Sequence, residues 1–374
     1  LGIAFSRFTI TIVVVLVGLI SAGLFFIMRK AILQDIRAHW RYYLTVELLF
    51  LVLFIIFLLV RLGNPDLWHP YKGGEKPMDL SYFQAVIKST VFPPYDPWFA
   101  DGYLNYYYFG YVIVGVLVKW LGIIPTFAYN LILPTLFAMT GAGAFSIGWN
   151  LFARDESDPA SKSAGEWIRL HKASLTAGIA GVTGMILVGN LGTVRMIWHG
   201  IMRLAPNVDL AASTIIDRLR WTFQGLGTFL SGAALPFARG DWYWIPSRVY
   251  PNEPITEFPL FTFLYADLHA HLIDLPVTLL VLGCSIALVK SKWLFEFANT
   301  CMKWLQGAMT FLVTSLAVGA LKPTNTWDQP TYTIFICVVL FYSTYRYFQF
   351  PEKFLPGISP QVKRLGIASI FVSI

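Results

Sequence analysis

The residues of this chain best suited to chemistry are acids and imidazoles set among apolar and aromatic neighbours. In "EFPLFTFLYADLHAHLIDLP", Glu257 to Pro276, the side chains of Asp267, His269 and His271 stand at the entrance to a hydrophobic run. If "ADLHAH" is extended, all three share one face by period-two alternation. If it is helical, Asp267 and His271 share a face four residues apart and His269 points elsewhere. Burying such groups beside apolar helix is costly unless they are paired. Ionisable residues at membrane depth mark functional cavities. The spacing of Asp267, His269 and His271 offers ligands to a divalent metal ion, although zinc motifs of high specificity are built differently.

Four further stretches carry polar chemistry. In "GGEKPMDLSYFQAVIKS", Gly73 and Gly74 permit a tight turn, and Glu75 and Asp79 follow at i, i+4 spacing. Leu80, Phe83, Val86 and Ile87 recur at helical intervals, which predicts a short helix over 78–89 lying along the outer membrane surface. Both carboxylates then start that helix, where the macrodipole favours negative charge. Helix capping and a general-base or metal-binding pair both stay open. "FPPYDPWFADGYLNYYYFGY" holds Asp96, Asp101, Tyr106, Tyr107 and Tyr108. Interfacial tyrosines belong at a helix entering the headgroups. Three in a row, about 100° apart, cannot all face lipid, so at least one faces protein or substrate. "GDWYWIPSRVYPNEPITEFP" sets Asp241, Arg248 and Glu257 among aromatics. Arg248 could hold a phosphate through its fork of donors or serve as a salt-bridged structural cation. "KPTNTWDQPTY" places Asn325 and Asp328 at another helix end.

The elements that must position these residues are membrane helices. The chain has 374 residues, 56% hydrophobic and 13% charged, against about 25% charged in soluble domains. Apolar runs at 3–28, 45–62, 105–122, 128–152, 172–190, 272–290, 304–321 and 331–348 approach the roughly 20 residues that cross a bilayer. The fold class expected is an all-α, polytopic integral membrane protein, with 1–374 as a single transmembrane domain. The net charge of +7 is dispersed around the apolar runs, which reads as positive-inside topology and not as a nucleic-acid surface. The three cysteines, Cys284, Cys301 and Cys337, lie in or beside apolar runs without metal spacing and read as small hydrophobes. A start without Met and an end inside the apolar "RLGIASIFVSI" suggest a segment of a longer protein.

Charge also gives sidedness. "RKAILQDIRAHWRYY", "KSKW" near 290 and "YRYFQFPEKF" after 345 read as cytoplasmic, which puts 63–104, "DLHAH" and "KPTNTWDQPTY" outside. The middle does not close. Three crossings by 105–122, 128–152 and 172–190 would leave 191–256 on the wrong side. Either one run is non-spanning or re-entrant, the favoured reading, or 221–237 supplies a fourth crossing. The first large extracytoplasmic loop is then 63–104 and the second 191–271, while 154–170 is a solvated connector.

"LNYYYFG", "NPDLWHP", "GGEKPMD", "FPPYDPWFA", "EFPLFTFLYADLHAH" and "NTWDQPTY" fall within about 60–335, and together they resemble the blocks of the Chlor_Arch_YYY family of large hydrophobic membrane proteins. One departure is Ala270, where that family usually has Pro. The run "EKPMD", "LSYFQAVIKS", "TVFPPYDPWF", "YYYFGYVIVGVLVKWLG" is also similar in order and spacing to the GT-C superfamily of membrane glycosyltransferases. That resemblance implies a GT-C-like bundle whose extracytoplasmic loops carry short interfacial helices. Asp79 takes the place of the acid that acts as base or orients the acceptor. Glu75 is its companion, although it precedes the acid instead of following it. The chain differs by having the run 3–28 before the usual first helix. The implied function is transfer of a sugar from a polyprenyl-phosphate-linked donor to an extracytoplasmic acceptor at the plasma membrane. Asp79, Glu75, Asp267, His269 and His271 would be catalytic. Asp96, Asp101, Tyr106, Tyr107, Tyr108, Arg248, Glu257, Asn325 and Asp328 would bind substrate. Arg248 or a divalent metal ion would counter the leaving phosphate. The partners implied are membrane lipids, the lipid-linked donor and protein subunits of a larger membrane assembly. A non-catalytic scaffold and a transporter of a lipid-linked solute are the alternatives.

Overall fold

The computed structural model describes residues 2–68, 74–153, 163–188, 191–238, 240–250, 254–290, 301–347 and 357–373. In chain order its helices are α1 (Arg7–Gly63), α2 (Lys76–Lys88), α3 (Phe109–Leu121), α4 (Pro125–Phe152), α5 (Ala164–Leu170), α6 (Lys172–Val182), α7 (Gly192–Met202), α8 (Ile215–Leu230), α9 (Asp241–Trp244), α10 (Pro259–Tyr265), α11 (Ala270–Lys290), α12 (Cys301–Thr324), α13 (Asp328–Tyr347) and α14 (Pro360–Ser373). A π-helical turn, Thr183–Val188, continues α6. Among the described residues β-pairing is confined to one isolated bridge, Tyr95 with Tyr103. The expected all-α membrane class is what the chain adopts.

By length and composition α1, α4, α11 and α12 can each cross a membrane. The pair α5–α6, bent by 76°, is a fifth if it forms one broken span. The expected crossing over 105–122 shrinks to the 13 residues of α3. That is about 20 Å of helix, short of a hydrocarbon core about 30 Å thick. The run at 172–190 is helical from Lys172 to Val188, its last turn π-helical, and the 76° bend comes just before it, after Leu170. Sequence hydropathy counts apolar residues but does not see where helical geometry stops.

The 57 residues of α1 would make a rod about 85 Å long if straight. It is not straight. Arg7 Nε donates to the carbonyl of Lys119, and Arg61 donates to Asn130 Oδ1 at 2.7 and 3.0 Å. Lys119 and Asn130 are close in sequence and at most about 40 Å apart even when extended. The helix therefore folds back, and the break is at His39, whose backbone is non-helical (φ −125°, ψ 22°). The basic connection at 29–41 is thus mostly helical, with its reversal concentrated at one residue.

The chain divides into two compact units, Leu1–Val182 with Asp267–Ile374, and Thr183–Ala266. In the first, α4 packs on α1, α6 and α11. Its contact with α6 is set by small residues. A Cβ on Gly148 would come within 2.3 Å of the Ala177 carbonyl oxygen, and one on Gly181 within 2.6 Å of that of Ala144. Trp149 of α4 stacks between Tyr42 and Trp167 at 5.2 and 5.6 Å. α2 buries Phe83 and Val86 and packs on α3, where Phe83 and Ile87 sit over Gly115. The apolar face expected to lie on the membrane surface is thus used, at least in part, against protein. In the second unit α7 packs on α8 around Met202, Ala205 and Trp221. The start of α8 is fixed by a reciprocal cap between Thr214 and Asp217.

His69, Gly73, residues 154–162, "SKW" at 291–293, 348–356 and "PNE" at 251–253 lie outside the described residues.

Candidate functional site

Two short stretches meet in the first unit. One begins α2. Gly74 adopts φ +60°, a left-handed conformation natural to glycine, and turns the chain so that Glu75 precedes the helix. Pro77 in the first turn preorganises the start, and Asp79 lies in that turn. The other is the connection before α11. Ala266 takes φ +65° and ends α10, and helix does not resume until Ala270. Asp267 and His269 therefore lie on non-helical backbone, with Leu268 fully buried between them. The Leu268 N–H donates to Tyr129 Oη at 2.8 Å, which pins the connection to α4.

The two stretches are joined by charge. The Glu75 N–H donates to Asp267 Oδ2 at 2.9 Å, and Lys76 Nζ lies 3.7 Å from Asp267 Oδ1. His269 Nε2 is 3.2 Å from Glu75 Oε2 and 3.7 Å from Asp267 Oδ2, while its Nδ1 is 3.9 Å from Asp79 Oδ1. Tyr111 of α3 donates its hydroxyl to Asp79 Oδ1 at 2.7 Å. Asp79 is 0% exposed, and its second oxygen, Oδ2, meets no hydrogen-bond donor among the described residues.

Burial shapes the proton affinities. It pushes the Asp79 carboxyl up to about 7, against the pull of His269 and the Tyr111 hydroxyl, with Asp267 and Glu75 adding to the rise. Asp267 is also raised by burial, opposed by the Glu75 N–H, Lys76 and His269. Lys76 is lowered by burial, with Asp267 pulling the other way. Three carboxylates thus face one ammonium and one imidazole. Such a set can hold a proton near neutral pH or accept one more positive charge.

The residues singled out from the sequence separate into groups. Glu75, Asp79, Asp267 and His269 come together. His271 sits in the first turn of α11 and stacks on His269, ring centres 5.5 Å apart. The residues that offer ligand atoms within 4.8 Å of one another are Asp79, Asp267 and His269. Among the described residues this group takes in Asp79 and leaves out His271, which stands in the first turn of the helix that begins at Ala270.

Tyr106 stands near the acids. Burial, then Asp79 and Glu75, push its hydroxyl up to about 12. Tyr106, Tyr107 and Tyr108 line a cavity of about 400 Å³ with Lys322, Pro323 and Thr326. Asp96 and Asp101 shape the preceding loop. Asp96 accepts from the Trp98 N–H at 2.8 Å, and Asp101 is exposed at φ +61°. Asn325 donates to Asp328 at 2.6 Å, and that acid faces the fully buried Asp274 of α11. Arg248 and Glu257 belong to the second unit. There Arg248 lies 4.1 Å over the Trp244 ring, and Glu257 accepts from Thr262 at 3.3 Å.

Sequence reasoning missed Lys76, Tyr111, Tyr129 and Asp274. Lys76 lies between the two acids already singled out. Tyr111 is one helical turn beyond Tyr107, so the YYY stretch could have pointed to it. Asp274 ends the same "DLHAHLID" run but looked like part of a greasy helix. Tyr129 gave no local signal.

No curated protein and no solved structure matches the chain. The profile of one family, described as "Uncharacterized membrane protein (DUF2298)", matches residues 2–373, nearly the whole length, and the chain belongs to that family of membrane proteins.

Proposed function

We propose that the protein is a GT-C-like glycosyltransferase that moves a sugar from a polyprenyl-phosphate donor to an acceptor hydroxyl or amide at the extracytoplasmic face of the plasma membrane. The observation that carries this reading is Asp79. It is a fully buried carboxylate with one oxygen held by Tyr111 and the other unengaged, and its proton affinity is tuned near neutrality. A general base works best when its pKa lies near the operating pH.

In the proposed step Asp79 Oδ2 takes the acceptor proton as the acceptor atom bonds to the anomeric carbon. The bond from that carbon to the phosphate oxygen breaks, and polyprenyl phosphate leaves with the electron pair. One displacement inverts the anomeric configuration and needs no covalent intermediate. Lys76 supplies positive charge to the site, His269 offers its ring nitrogens, and Asp267 lies 3.7 Å from each. Asp79, Asp267 and His269 are also the residues that would hold a divalent cation, which would stabilise the leaving phosphate. Tyr106, Tyr107 and Tyr108 offer ring faces for the sugar or lipid headgroup. Arg248, Glu257, Asn325 and Asp328 have no assigned step in this reading.

The test is turnover of radiolabelled polyprenyl-phosphate sugars by the purified protein in liposomes, with and without EDTA. Asp79→Asn keeps the Tyr111 hydrogen bond but cannot take a proton, so transfer should fall at least about 100-fold with the fold retained. If the variant unfolds or fails to assemble while wild type turns over no donor, the residues serve a scaffold. Loss of solute movement across the bilayer without any sugar transfer would indicate a transporter.

A further inference from the structure

A second site lies within the membrane helices, away from the acids. A groove of about 630 Å³ runs between α1, α4 and α11, lined by Phe50, Met139, Gly143, Pro276, Gly283 and Lys290 among others. This is the size range of small-molecule sites, about 300–1,000 Å³. Along α11 it extends from Pro276 to Lys290, about 21 Å at 1.5 Å per residue. It is a long trough, fit for a chain. Glycine makes it deep, since a Cβ on Gly283 would meet nothing within 4 Å. α1, α4 and α11 are all long and apolar enough to span a membrane, which would set the trough against acyl chains.

Its polarity is confined to one end. Lys290, the last residue of α11, donates to the carbonyls of Asn150 and Ala153 at the end of α4, the latter at 3.3 Å. An ammonium has three N–H donors, so one remains after these two among the described contacts. The opposite end of α11, about 31 Å away, adjoins Asp267 and His269.

We propose that this groove holds a chain of an anionic glycerophospholipid whose phosphate meets Lys290. That phosphate lies at the membrane face opposite the acid cluster, so the lipid is a resident one and not a reacting donor. Such a lipid would sit there whether or not the acid cluster transfers sugar.

The test exchanges the purified protein into detergent with equal amounts of phosphatidylglycerol and phosphatidylcholine and counts the bound lipids by native mass spectrometry. Wild type should retain phosphatidylglycerol about tenfold over phosphatidylcholine, as expected for a charge-assisted contact. Lys290→Gln should remove the preference and leave some lipid bound. Gly283→Leu fills the groove without a backbone clash and should abolish retention, with its melting profile measured to show that it folds. Equal retention of both lipids by wild type, or undiminished phosphatidylglycerol on both variants, would overturn the proposal. So would preferential retention of an added polyprenyl phosphate, which would give the groove to the donor.

Discussion

At the residue scale, the tension in this molecule is concentrated in Asp79. Its carboxyl has been moved from 3.8 to about 7 chiefly by burial, which opposes the charged form. The folded state therefore binds this proton more tightly than the unfolded chain. The stability from that proton is fully present below the unfolded value, near 4, and is lost as pH rises through about 7. A shift of roughly three units corresponds to an upper bound on the order of 4 kcal/mol. Asp79→Asn removes the linked proton and keeps the shape. Its melting temperature should match wild type near pH 4 and exceed it increasingly up to about pH 8, as read by thermal unfolding in detergent. A gap that does not change with pH would mean that the group is not held protonated by burial. The sequence showed Glu75, Asp79, Asp267 and His269 as chemistry, because acids and imidazoles stand out in apolar surroundings. It could not show that Tyr111 would meet Asp79, since that depends on how α2 lies on α3.

At the element scale, the site depends on helices brought close by small side chains. A Cβ on Gly148 would sit 2.3 Å from the Ala177 carbonyl oxygen and 3.0 Å from the Gly178 Cα, all backbone, so α4 and α6 would have to part. Gly148→Ala should cost about 1–3 kcal/mol, the usual range for overpacking. Gly283→Ala, with open space at the same position, should be near neutral. Thermal melting of the two variants side by side checks the contrast. Equal effects would contradict this account of α4–α6 packing. Helix α2 was legible from Leu80, Phe83, Val86 and Ile87, and the helix covers them. Its partner was not legible. An apolar stripe looks the same whether it lies on lipid or on a neighbouring helix, and Gly115 supplies the seat. The break at His39 carried no proline or glycine to announce it, whereas the pause at Ala266 preserved the alternation that places Asp267 and His269 together.

At the scale of the whole molecule, composition alone identified a polytopic helical membrane protein, because 13% charge cannot solvate a chain this size. Sidedness needs the geometry. Arg61 and Asn130 join the end of α1 to the start of α4, and Asp79 joins α2 to the start of α11. These ends must share one membrane face. After replacement of Cys284, Cys301 and Cys337 by serine, a cysteine at Asp66 and one at Thr326 should both react with an impermeant maleimide on intact cells. One at Gln34, near the reversal of α1, should react only after permeabilisation. Opposite sidedness for Asp66 and Thr326 would break the proposed topology.

The central claim, that Asp79 takes the acceptor proton, is tested most directly by the pH dependence of single-turnover sugar transfer from a polyprenyl-phosphate donor. The rate should rise with pH and level off above a midpoint of about 7, because the base acts only when ionised. In Asp79→Asn the residual rate should show no such limb. A variant that transfers sugar at the wild-type rate with the same pH profile would contradict the claim.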